Sequence, residues 1–509
     1  MDLVVSNLAG TLDALVASAR AQAPRADVLE LRLDACADAT ESDLRRAFAN
    51  SPRPVLAAVN GLEAYGSFAG RDAERLALLA RASAAGAAWI DVPWTLAREH
   101  SANCAREPAS TSASPRARRV VSRHVLDGTP GDLASLLAEM ERDVGPDDRI
   151  KLVTHATCAE DGLRVLLLAH ERARVGRPIV AFASGTAGSF TRVLAPVCGS
   201  LATYAAPSRG SGARATAPGQ IEADVLRAQW PTNGATSATR ILGVVGRPVG
   251  ASLSPRLHGA ALRRVGFDAV YVAFEPANFD AFLALATELG VHGLSVTMPF
   301  KADAARLAST RDDAVAACGA ANTLVRTPTG WHATNTDASA VRTCIGRALC
   351  GSGVTLTDSI AVVVGTGGAA RAALHGLRGA ELVLAGRDAA KREQLAREFG
   401  AEACSMDELV EIPHDILVNT TPLGSRRHPG EIAVPARALR PDSIVFDAVY
   451  RPSETPLLLA ARAIGARTIE GREWFLEQAL AQFCAFTSVD APAESMRIEL
   501  ARALLEDAP

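Results

Sequence analysis

The chain has 509 residues, which is more than one ordinary domain holds, so roughly two to four domains are expected. Its composition, 48% hydrophobic and 21% charged, is typical of a soluble globular protein. A net charge of -3 argues against nucleic acid or an anionic membrane as the main partner, and no segment is long and apolar enough to span a bilayer.

The nine cysteines are scattered without CxxC pairs. This spacing indicates reduced, mostly structural thiols and predicts no zinc or other metal site. The first residues, Met1-Asp2-Leu3, include no basic leader. Together these features predict a cytoplasmic protein.

Short β-like segments alternate with amphipathic helical segments over the first 230 residues. Eight strands with intervening helices over this length predict a (β/α)8 barrel, an α/β fold. A segment rich in Ser, Ala, Pro and Arg, Arg106 to Arg118, is predicted to be a surface loop before the fifth strand. The predicted strands are Leu3–Val5, Val28–Leu33, Val55–Val59, Ala88–Val92, Arg119–Ser122, Ile150–Val153, Ile179–Phe182 and Leu201–Tyr204.

Polar residues lie near the carboxyl ends of these strands, where chemistry occurs in such barrels. In the second strand Glu30, Arg32 and Asp34 alternate with leucines, so the period of two turns the charged set toward the interior. A lysine in the sixth strand, Lys151, is costly to bury unless it is paired or neutral. Burial and cationic neighbours lower the pKa of an amine and make it a nucleophile toward ketones. A structural ion-pair cluster of Glu30, Arg32 and Lys151 is the alternative interpretation.

In order and spacing, five segments resemble type I 3-dehydroquinate dehydratase: Leu29 to Asp34, Ser122 to His124, Lys151, the Arg192 segment, and Ala217-Pro-Gly-Gln220. The resemblance implies that Lys151 forms an imine with the C3 ketone of the substrate. It implies that His124 is the general acid/base that removes the C2 proton and assists loss of the C1 hydroxyl. It further implies that ring hydroxyls are bound by Glu30 and Arg32, the carboxylate by Arg192, and the rest of the pocket is formed by Ser6, Thr216 and Gln220.

This sequence departs from the family pattern after the third and fourth strands. Asn60 stands where the family usually carries an arginine, although Glu63 follows as a match for its next acidic residue. Pro93, in Asp91-Val-Pro-Trp94, stands where the family carries an acidic residue, and Thr216 replaces a serine. Loss of a cationic contact is expected to weaken substrate binding without abolishing imine chemistry.

The junction between two halves follows a predicted closing helix from Gln220 to Trp230. The segment 231–239 is small, polar and turn-prone, which predicts a linker. A strand begins at Ile241, and Ser252-Leu-Ser-Pro255 follows it. Two hydroxyls before a helix N-terminus can bind a carboxylate, and in any case Ser254 is expected to cap the helix with Pro255 at its first position.

Further along, Ile360-Ala-Val-Val-Val364 is followed by Gly365-Thr-Gly-Gly-Ala369 and a helical segment. A strand, a glycine turn and a helix N-terminus are what a dinucleotide pyrophosphate needs, although a plain tight turn gives the same pattern. The next predicted strand, Glu381 to Ala385, ends at Gly386-Arg387-Asp388, with Lys391 close behind. Arg387 and Lys391 suit a 2′-phosphate and favour NADP, whereas an inward-pointing Asp388 would favour NAD.

A series of ordered motifs from Ile241 to Leu505 closely resembles shikimate dehydrogenase. They are Ser252-x-Ser254, Val296-Thr-Met-Pro-Phe-Lys301, Ala321-Asn-Thr323, Asn335-Thr-Asp337, Gly365–Ala369, Asn419-Thr-Thr-Pro-Leu-Gly424, Asp447-x-x-Tyr450 and finally Gln478. The resemblance implies Lys301 and Asp337 as the catalytic pair. It places the substrate among Ser252, Ser254, Thr297, Asn322, Tyr450 and Gln478, and the cofactor on Gly365, Thr366, Gly367, Gly368 and Ala369, with Arg387, Lys391, Asp313 and Gly471 nearby.

Together the two resemblances imply a fused enzyme of the shikimate pathway that dehydrates 3-dehydroquinate and then reduces 3-dehydroshikimate to shikimate with NADPH. The expected domains are a barrel over 1–230, a linker over 231–239, a substrate-binding domain over 240–338 completed by helices over 473–509, and a Rossmann NADP-binding domain over 339–472. Alternatives are a barrel that has lost activity, a barrel that only binds a pathway intermediate, and quinate as the reductase substrate.

Overall fold

A computed structural model describes residues 1–98, 117–208, 215–351 and 353–506. The chain divides into two compact units, Met1–Ile241 with Asp268–Val291, and Leu242–Phe267 with His292–Pro509. No helix in the described ranges combines the length and apolar character needed to cross a membrane.

The first unit contains an eight-stranded sheet with the order β7-β6-β5-β4-β3-β2-β1-β8, paired in parallel. At the seam Leu201 N donates to Ile179 O at 3.0 Å, so the sheet nearly closes on itself. This confirms the barrel and all eight predicted strands. The strands are β1 Asp2–Leu8, β2 Val28–Arg32, β3 Val55–Ala58, β4 Trp89–Pro93, β5 Arg118–His124, β6 Arg149–His155, β7 Val180–Ser184 and β8 Ala202–Ala205.

The barrel interior is a close-packed cluster of alternate residues from these strands. Its apolar layer is made of Val4, Val28, Leu56, Val120, Val153, Val180, Phe182, Ala202 and Tyr204. Above Val28 on the same face of β2 come Glu30 and Arg32, as the period of two predicts. Asp34 lies just past the strand, in a 3-10 turn over Leu33–Ala35.

The segments between the barrel strands form helices that bury apolar residues spaced three or four apart. One helix, Leu133–Arg142, begins at Asp132, whose carboxylate accepts from Ser135 N at 2.9 Å, and it buries Leu133, Leu136, Leu137 and Met140. Of the loop predicted over Arg106 to Arg118, residues 106–116 lie outside the described ranges. The helices of this part are α1 Leu12–Gln22, α2 Glu41–Ala49, α3 Asp72–Ala84, α4 Leu133–Arg142, α5 Ala159–Arg174, α6 Phe190–Leu194 and α7 Ala223–Arg227.

The predicted closing helix from Gln220 to Trp230 is shorter than expected. Only Ala223–Arg227 is helical, and Trp230 instead donates its indole N–H to Val193 O at 2.9 Å. This contact explains why a large aromatic residue stands at the end of a polar segment.

A six-stranded sheet follows with the order β10-β9-β11-β13-β14-β12. It is mixed, because β13 pairs antiparallel with both β11 and β14 while β12 pairs parallel with β14. Its strands are β9 Arg240–Val245, β10 Ala269–Phe274, β11 Val291–Val296, β12 Thr310–Arg311, β13 Thr323–Thr327 and β14 Gly330–Thr334. The helices are α8 Ser254–Val265, α9 Phe279–Glu288, α10 Lys301–Leu307, α11 Asp313–Cys318 and α12 Thr336–Leu349.

The third sheet is parallel throughout, with the order β17-β16-β15-β18-β19-β20. Counted from β15, this is the order 3-2-1-4-5-6 of a Rossmann fold, which binds dinucleotides where the order reverses. Its strands are β15 Ile360–Val364, β16 Glu381–Ala385, β17 Glu402–Cys404, β18 Ile416–Asn419, β19 Ile444–Asp447 and β20 Arg467–Ile469, with helices α13 Gly368–Gly376, α14 Ala389–Phe399 and α15 Pro456–Ala463.

Two final helices, α16 Gly471–Thr487 and α17 Ala493–Glu506, complete the second unit. The indole N–H of Trp474 donates to Asp337 O at 3.0 Å, and Gln482 donates to Asn322 O at 2.9 Å. Helix α16 thus returns to the segments that precede the Rossmann sheet.

Candidate active sites

The carboxyl ends of the barrel strands enclose a pocket. It brings together all but one of the residues predicted for the first site, and the remaining one, Ser6, is hydrogen-bonded to two of them. The lining residues include Glu30, Arg32, Asn60, Tyr65, His124, Lys151, Phe182, Arg192, Tyr204, Thr216 and Gln220.

Lys151 lies in the interior with its ammonium group between two carboxylates. Its Nζ is 2.8 Å from Asp91 Oδ2 and 3.8 Å from Glu30 Oε1, and it lies 4.2 Å from the centre of the Tyr204 ring. Burial alone lowers the pKa of Lys151, but Asp91, Tyr204 and Glu30 outweigh burial and raise it. The expectation of a lowered lysine pKa is therefore wrong, because acidic neighbours surround the amine.

Asp91 is the partner of Lys151 that sequence reasoning missed. It is fully buried in β4, and although burial raises its pKa, the Lys151 charge outweighs burial and lowers it. The available signal was the period of two: Trp89, Asp91 and Pro93 share one face of β4, and Trp89 packs against the interior cluster. Although Pro93 is not acidic, β4 still brings one carboxylate, that of Asp91, into contact with Lys151.

His124 ends β5 and faces the same pocket. Burial, together with the Lys151 charge, lowers the pKa of the His124 imidazole to about 3. The ring is therefore neutral at physiological pH and can accept a proton from a bound molecule.

Four of the predicted binding residues form one hydrogen-bonded chain. Ser6 Oγ donates to Glu30 Oε2, and Thr216 Oγ1 donates to Ser6 Oγ at 2.8 Å. Gln220 Oε1 accepts from Thr216 N at 2.7 Å, which closes the segment after β8 onto the pocket. The donors and acceptors of this chain are suited to a ligand with several hydroxyl groups.

The two predicted arginines differ in their partners. Arg32 is paired with Asp34 at 2.5 Å, whereas Arg192 donates from one terminal nitrogen to Tyr204 O at 3.1 Å. Arg192 Nε is buried and has no partner. Burial lowers the pKa of Arg192 to about 10, so its guanidinium stays charged at neutral pH and suits a carboxylate ligand.

Asn60 lies in the pocket wall and brings no charge there. Its Nδ2 is 3.4 Å from Ala64 O, and its backbone N–H donates to Asp34 Oδ1 at 2.9 Å. Glu63 points away and pairs at 2.7 Å with the buried Arg75 of α3. The pocket lining therefore includes neither a cation at position 60 nor the Glu63 carboxylate.

In the second unit the predicted pair is in contact. Lys301 begins α10 and Asp337 lies in the first turn of α12, and Lys301 Nζ donates to Asp337 Oδ2 at 2.6 Å. Both side chains are partly exposed, so the pair can reach a ligand from solvent. A positioned ammonium beside a carboxylate can donate a proton to a carbonyl oxygen.

The other predicted substrate residues make different kinds of contact within the second unit. Asn322 Oδ1 accepts from Thr336 N at 2.8 Å, so the Asn322 side chain holds the start of α12. Gln482, which sequence reasoning missed, donates to Asn322 O at 2.9 Å and accepts from Ser295 at 2.7 Å. Gln478 lies one turn earlier on α16, as i and i+4 spacing requires, and donates to Phe475 O at 2.8 Å.

Ser252 and Ser254 lie at the start of α8, but with different roles from the expected cap. The helix begins at Ser254, Pro255 is its second residue, and Ser252 Oγ accepts from Ser254 N at 3.2 Å. The prediction that Ser254 is the N-cap is wrong by one residue, since the turn before the helix is held by Ser252.

Thr297 and Tyr450 are each in contact with a different part of the second unit, Thr297 with β9 and Tyr450 with α16. Thr297 N donates to Val245 O at 2.9 Å at the end of β9. The Tyr450 ring stacks on Phe475 of α16 with ring centres 5.0 Å apart.

The glycine turn after β15 is open for a phosphate. Gly365 has φ 117°, and a side chain there would meet Thr420 Oγ1 at 2.6 Å, whereas no atom lies within 4 Å of the side-chain position at Gly367. A Cβ on Gly368 would lie 3.9 Å from Lys301 Cδ, so the turn is next to the predicted catalytic pair. With Thr366 and Ala369, this turn fits a pyrophosphate at the N-terminus of α13.

Residues after β16 fit the NADP prediction. The Asp388 carboxylate turns to its own helix, where it accepts from Lys391 N at 3.1 Å and pairs with Lys391 Nζ at 3.4 Å. Arg387 is exposed beside it, and Arg392, which was not predicted, donates to Gly386 O at 2.7 Å. The condition that would favour NAD, an inward-pointing Asp388, is not met.

Asp313 and Gly471, which were predicted to lie near the cofactor, each start a helix. Asp313 is the first residue of α11, and Gly471 starts α16 in close contact with the backbone after β19. Their assignment to the cofactor stays a prediction.

Comparisons with known proteins match both halves. A family model for type I 3-dehydroquinase matches residues 3–235, and a model for the shikimate dehydrogenase substrate-binding domain matches residues 244–324. The chain is 30% identical over 508 residues to a chloroplastic bifunctional 3-dehydroquinate dehydratase/shikimate dehydrogenase of Arabidopsis thaliana, covering 96% of this chain and 82% of that relative.

The second half also matches single enzymes. It is 42% identical over 266 residues to a shikimate dehydrogenase (NADP(+)) of Halobacterium salinarum, covering 51% of this chain and 98% of the relative. A crystal structure of a shikimate dehydrogenase in complex with NADP+ matches with a TM-score of 0.50 and 31% identity, covering 53% of this chain and 97% of that one.

Proposed function

The chain belongs to the family of bifunctional 3-dehydroquinate dehydratase/shikimate dehydrogenases, and from this premise we propose that it catalyses both successive steps of the shikimate pathway. The first half converts 3-dehydroquinate to 3-dehydroshikimate, and the second reduces 3-dehydroshikimate to shikimate with NADPH. The observation that carries the proposal is the pair of lysine sites. Lys151 faces His124 and two carboxylates inside a barrel, and Lys301 contacts Asp337 beside a glycine turn.

In the dehydratase site, Lys151 first loses a proton to a neighbouring carboxylate, with Asp91 at 2.8 Å the nearest. The neutral amine attacks C3 of the ketone, and loss of water gives an imine. Neutral His124 removes the C2 proton, and the electrons released expel the C1 hydroxyl, to which His124 returns that proton as water leaves. Hydrolysis of the imine frees the product and Lys151, so the net change is loss of one water.

Binding in this site follows from the remaining partners. The unpartnered Nε and the charge of Arg192 suit the substrate carboxylate, and the chain through Ser6, Glu30, Thr216 and Gln220 suits ring hydroxyls. Because the imine forms on the protein, the site also needs no cofactor.

In the dehydrogenase site, bound NADPH supplies the hydride that reduces the C3 carbonyl carbon. Lys301 donates a proton or a hydrogen bond to the carbonyl oxygen, and Asp337, 2.6 Å away, orients the ammonium. Ser252, Ser254, Thr297, Asn322, Tyr450 and Gln478 would hold the substrate. Arg387 and Lys391 would hold the 2′-phosphate, while Gly365 to Ala369 accommodate the pyrophosphate.

We propose the predicted boundaries 1–230, 231–239, 240–338 with 473–509, and 339–472 as the functional division of the chain. Helix α16 supports this division, because it follows the Rossmann sequence yet returns to segments that precede it. Gln482 donates a hydrogen bond to Asn322 O, and Trp474 donates one to Asp337 O. The described cysteines, which are free thiols, support the cytoplasm as the compartment.

The test of the proposal is NADPH oxidation by the purified chain after addition of 3-dehydroquinate alone, with 3-dehydroshikimate in parallel. Consumption of NADPH with both substrates is expected, because the first half must produce what the second half reduces. Consumption with 3-dehydroshikimate alone would show that the barrel does not dehydrate, and consumption with neither would overturn the whole assignment.

A further inference from the structure

Tyr65, in the loop after β3, has a backbone conformation that favours glycine. Its φ is 56° and its ψ is 32°, and among the described residues Ser488 is the only other non-glycine residue with positive φ. A bulky side chain is strained there. Strain of this kind concentrates at functional sites, where the surrounding structure enforces it.

The loop around Tyr65 is built to hold this conformation. Gly66 N donates to Gly61 O at 2.7 Å, and a Cβ on Gly66 would meet Asn60 O at 1.9 Å, so only glycine fits there. The buried Arg32 donates to Tyr65 O at 3.2 Å. Hydrogen bonds therefore hold both the carbonyl of Tyr65 and the amide of the next residue, Gly66, and these bonds fix the backbone of Tyr65.

The Tyr65 phenol reaches across the barrel mouth. Strand β3 lies four strands from β7 in either direction around the sheet, yet the phenol oxygen is 2.8 Å from Ser184 Oγ at the end of β7 and 3.4 Å from His155 Nδ1 at the end of β6. Ser184 Oγ itself donates to Thr154 O at 2.9 Å, which leaves its lone pairs free to accept the phenol O–H. Tyr65 thus spans the pocket that it lines.

The charges of the pocket show what such a phenol can recognise. Among the described lining residues, Arg32 is paired with Asp34 and Lys151 with Asp91, so Arg192 is the cation without a carboxylate partner. Tyr65 and Arg192 line the same pocket. With a neutral Asn60 in the wall, a carboxylate bound at Arg192 needs a second donor, and the phenol O–H is suitably placed to supply it.

We propose that Tyr65 is a substrate-positioning residue of the dehydratase site, which spans the pocket mouth and donates its phenol O–H to the carboxylate held by Arg192. On binding, the phenol O–H turns from Ser184 Oγ to the carboxylate, and the phenol keeps its proton. The phenol oxygen then accepts a hydrogen bond, either from His155 Nδ1–H or from the Ser184 hydroxyl, which turns away from Thr154 O to make it. In this conformation the loop carries the Tyr65 side chain to Ser184 at the end of β7. The inference rests on the proposed dehydratase function.

Tyr65→Phe is the direct test, because it keeps the ring and the backbone and removes only the O–H. We expect the KM for 3-dehydroquinate to rise about tenfold with kcat within about twofold of wild type, the pattern of a lost binding contact. NADPH-dependent reduction of 3-dehydroshikimate by the same chain reports correct folding and stays unchanged. Leu62→Ala, in the same loop and 84% exposed, is the matched control and leaves both activities unchanged.

Two further variants separate positioning from a structural role. Ser184→Ala removes the anchor and raises KM less than Tyr65→Phe, and the double variant behaves like Tyr65→Phe alone. Tyr65→Gly relieves the backbone strain, so its Tm is equal to or above that of wild type while its KM rises at least as much as for Tyr65→Phe.

A KM for Tyr65→Phe within twofold of wild type, or a lowered Tm for Tyr65→Gly with unchanged KM, would overturn the inference. If wild type itself neither turns over 3-dehydroquinate nor forms a borohydride-trapped adduct with it, the proposed function fails, and this inference fails with it. The wild-type assay therefore distinguishes the two failures.

Discussion

At the scale of single residues, Lys151 shows how a neighbour can reverse the effect of burial. Removal from water disfavours an ammonium, yet the Asp91 carboxylate at 2.8 Å stabilises it, and the pKa is raised. Lys151 is therefore held as an ammonium, and under the proposed mechanism it must lose a proton before it can attack a ketone. We expect Asp91 to control that step, because its carboxylate is the nearest charge to the Lys151 amine.

Asp91→Asn tests this control. Because the charge that raises the Lys151 pKa is removed, we expect the pH at half-maximal imine formation to fall by at least about one unit. Trapping the imine of 3-dehydroquinate with cyanoborohydride across a pH series measures the midpoint. A midpoint that is unchanged or moves upward would contradict the role given to Asp91, and unchanged reduction of 3-dehydroshikimate controls for folding.

At the scale of elements, strand ends and helix starts position both sites. The interior faces of β2, β4 and β6 bring Glu30, Asp91 and Lys151 together. The starts of α10 and α12 bring Lys301 to Asp337, while α16 holds both the Asn322 and the Asp337 segments from the end of the chain. Helix α16 is therefore attached to two of the segments that carry the predicted reductase residues.

Gly471→Ala tests the attachment of α16. A methyl group there would lie 2.5 Å from Val449 O and 2.6 Å from Ala448 O, backbone atoms that cannot move without disturbing the segment after β19. We expect a loss of about 2–3 kcal/mol in the free energy of unfolding of the reductase half and a lower Tm, measured by thermal unfolding.

The matched control is Gly346→Ala in the interior of α12, where no atom lies within 4 Å of the added group. Alanine is the better helix former, so this variant should be neutral or more stable by about 0.5–1 kcal/mol. Equal changes in the free energy of unfolding for the two variants would show that the close backbone contact at Gly471 does not determine stability.

At the scale of the whole molecule, the two lysines proposed as catalytic belong to different compact units, Lys151 in a barrel strand and Lys301 at the start of a helix. The ion pairs of Lys151 with Asp91 and Glu30 lie within the first unit, and that of Lys301 with Asp337 lies within the second. Because the two sites are separate, we expect that substitution of one lysine abolishes one activity and leaves the other intact.

Lys151→Ala and Lys301→Ala test this separation in the full chain. Lys301→Ala should lower NADPH oxidation at least about a thousandfold with either substrate, since the proton donor is lost, and leave dehydration within about twofold. Lys151→Ala should abolish NADPH oxidation from 3-dehydroquinate and spare it from 3-dehydroshikimate. Dehydration is followed by the ultraviolet absorbance of the conjugated product. A large loss of dehydration in Lys301→Ala would show that the halves are coupled.

Local patterns in the sequence were sufficient for much of this molecule. Alternating side chains, helical periodicity and glycine turns act over a few residues, so all eight barrel strands and the Rossmann strand with its glycine turn could be predicted from them. The order of the motifs identified both families, because the motifs of one fold recur in a fixed order along the chain. The catalytic roles of Lys151 and Lys301 stay predictions.

Only the tertiary structure decided which groups face each other across long sequence separations. The contacts of Lys151 with Asp91, of Asn322 with Gln482, and of Tyr65 with Ser184 join residues 60, 160 and 119 positions apart. No local pattern encodes such pairs, since they depend on how strands close into a barrel and how the last helices return. The charge state of Lys151 follows from these contacts, because a pKa is set by the charges that folding brings near and not by the neighbours in sequence.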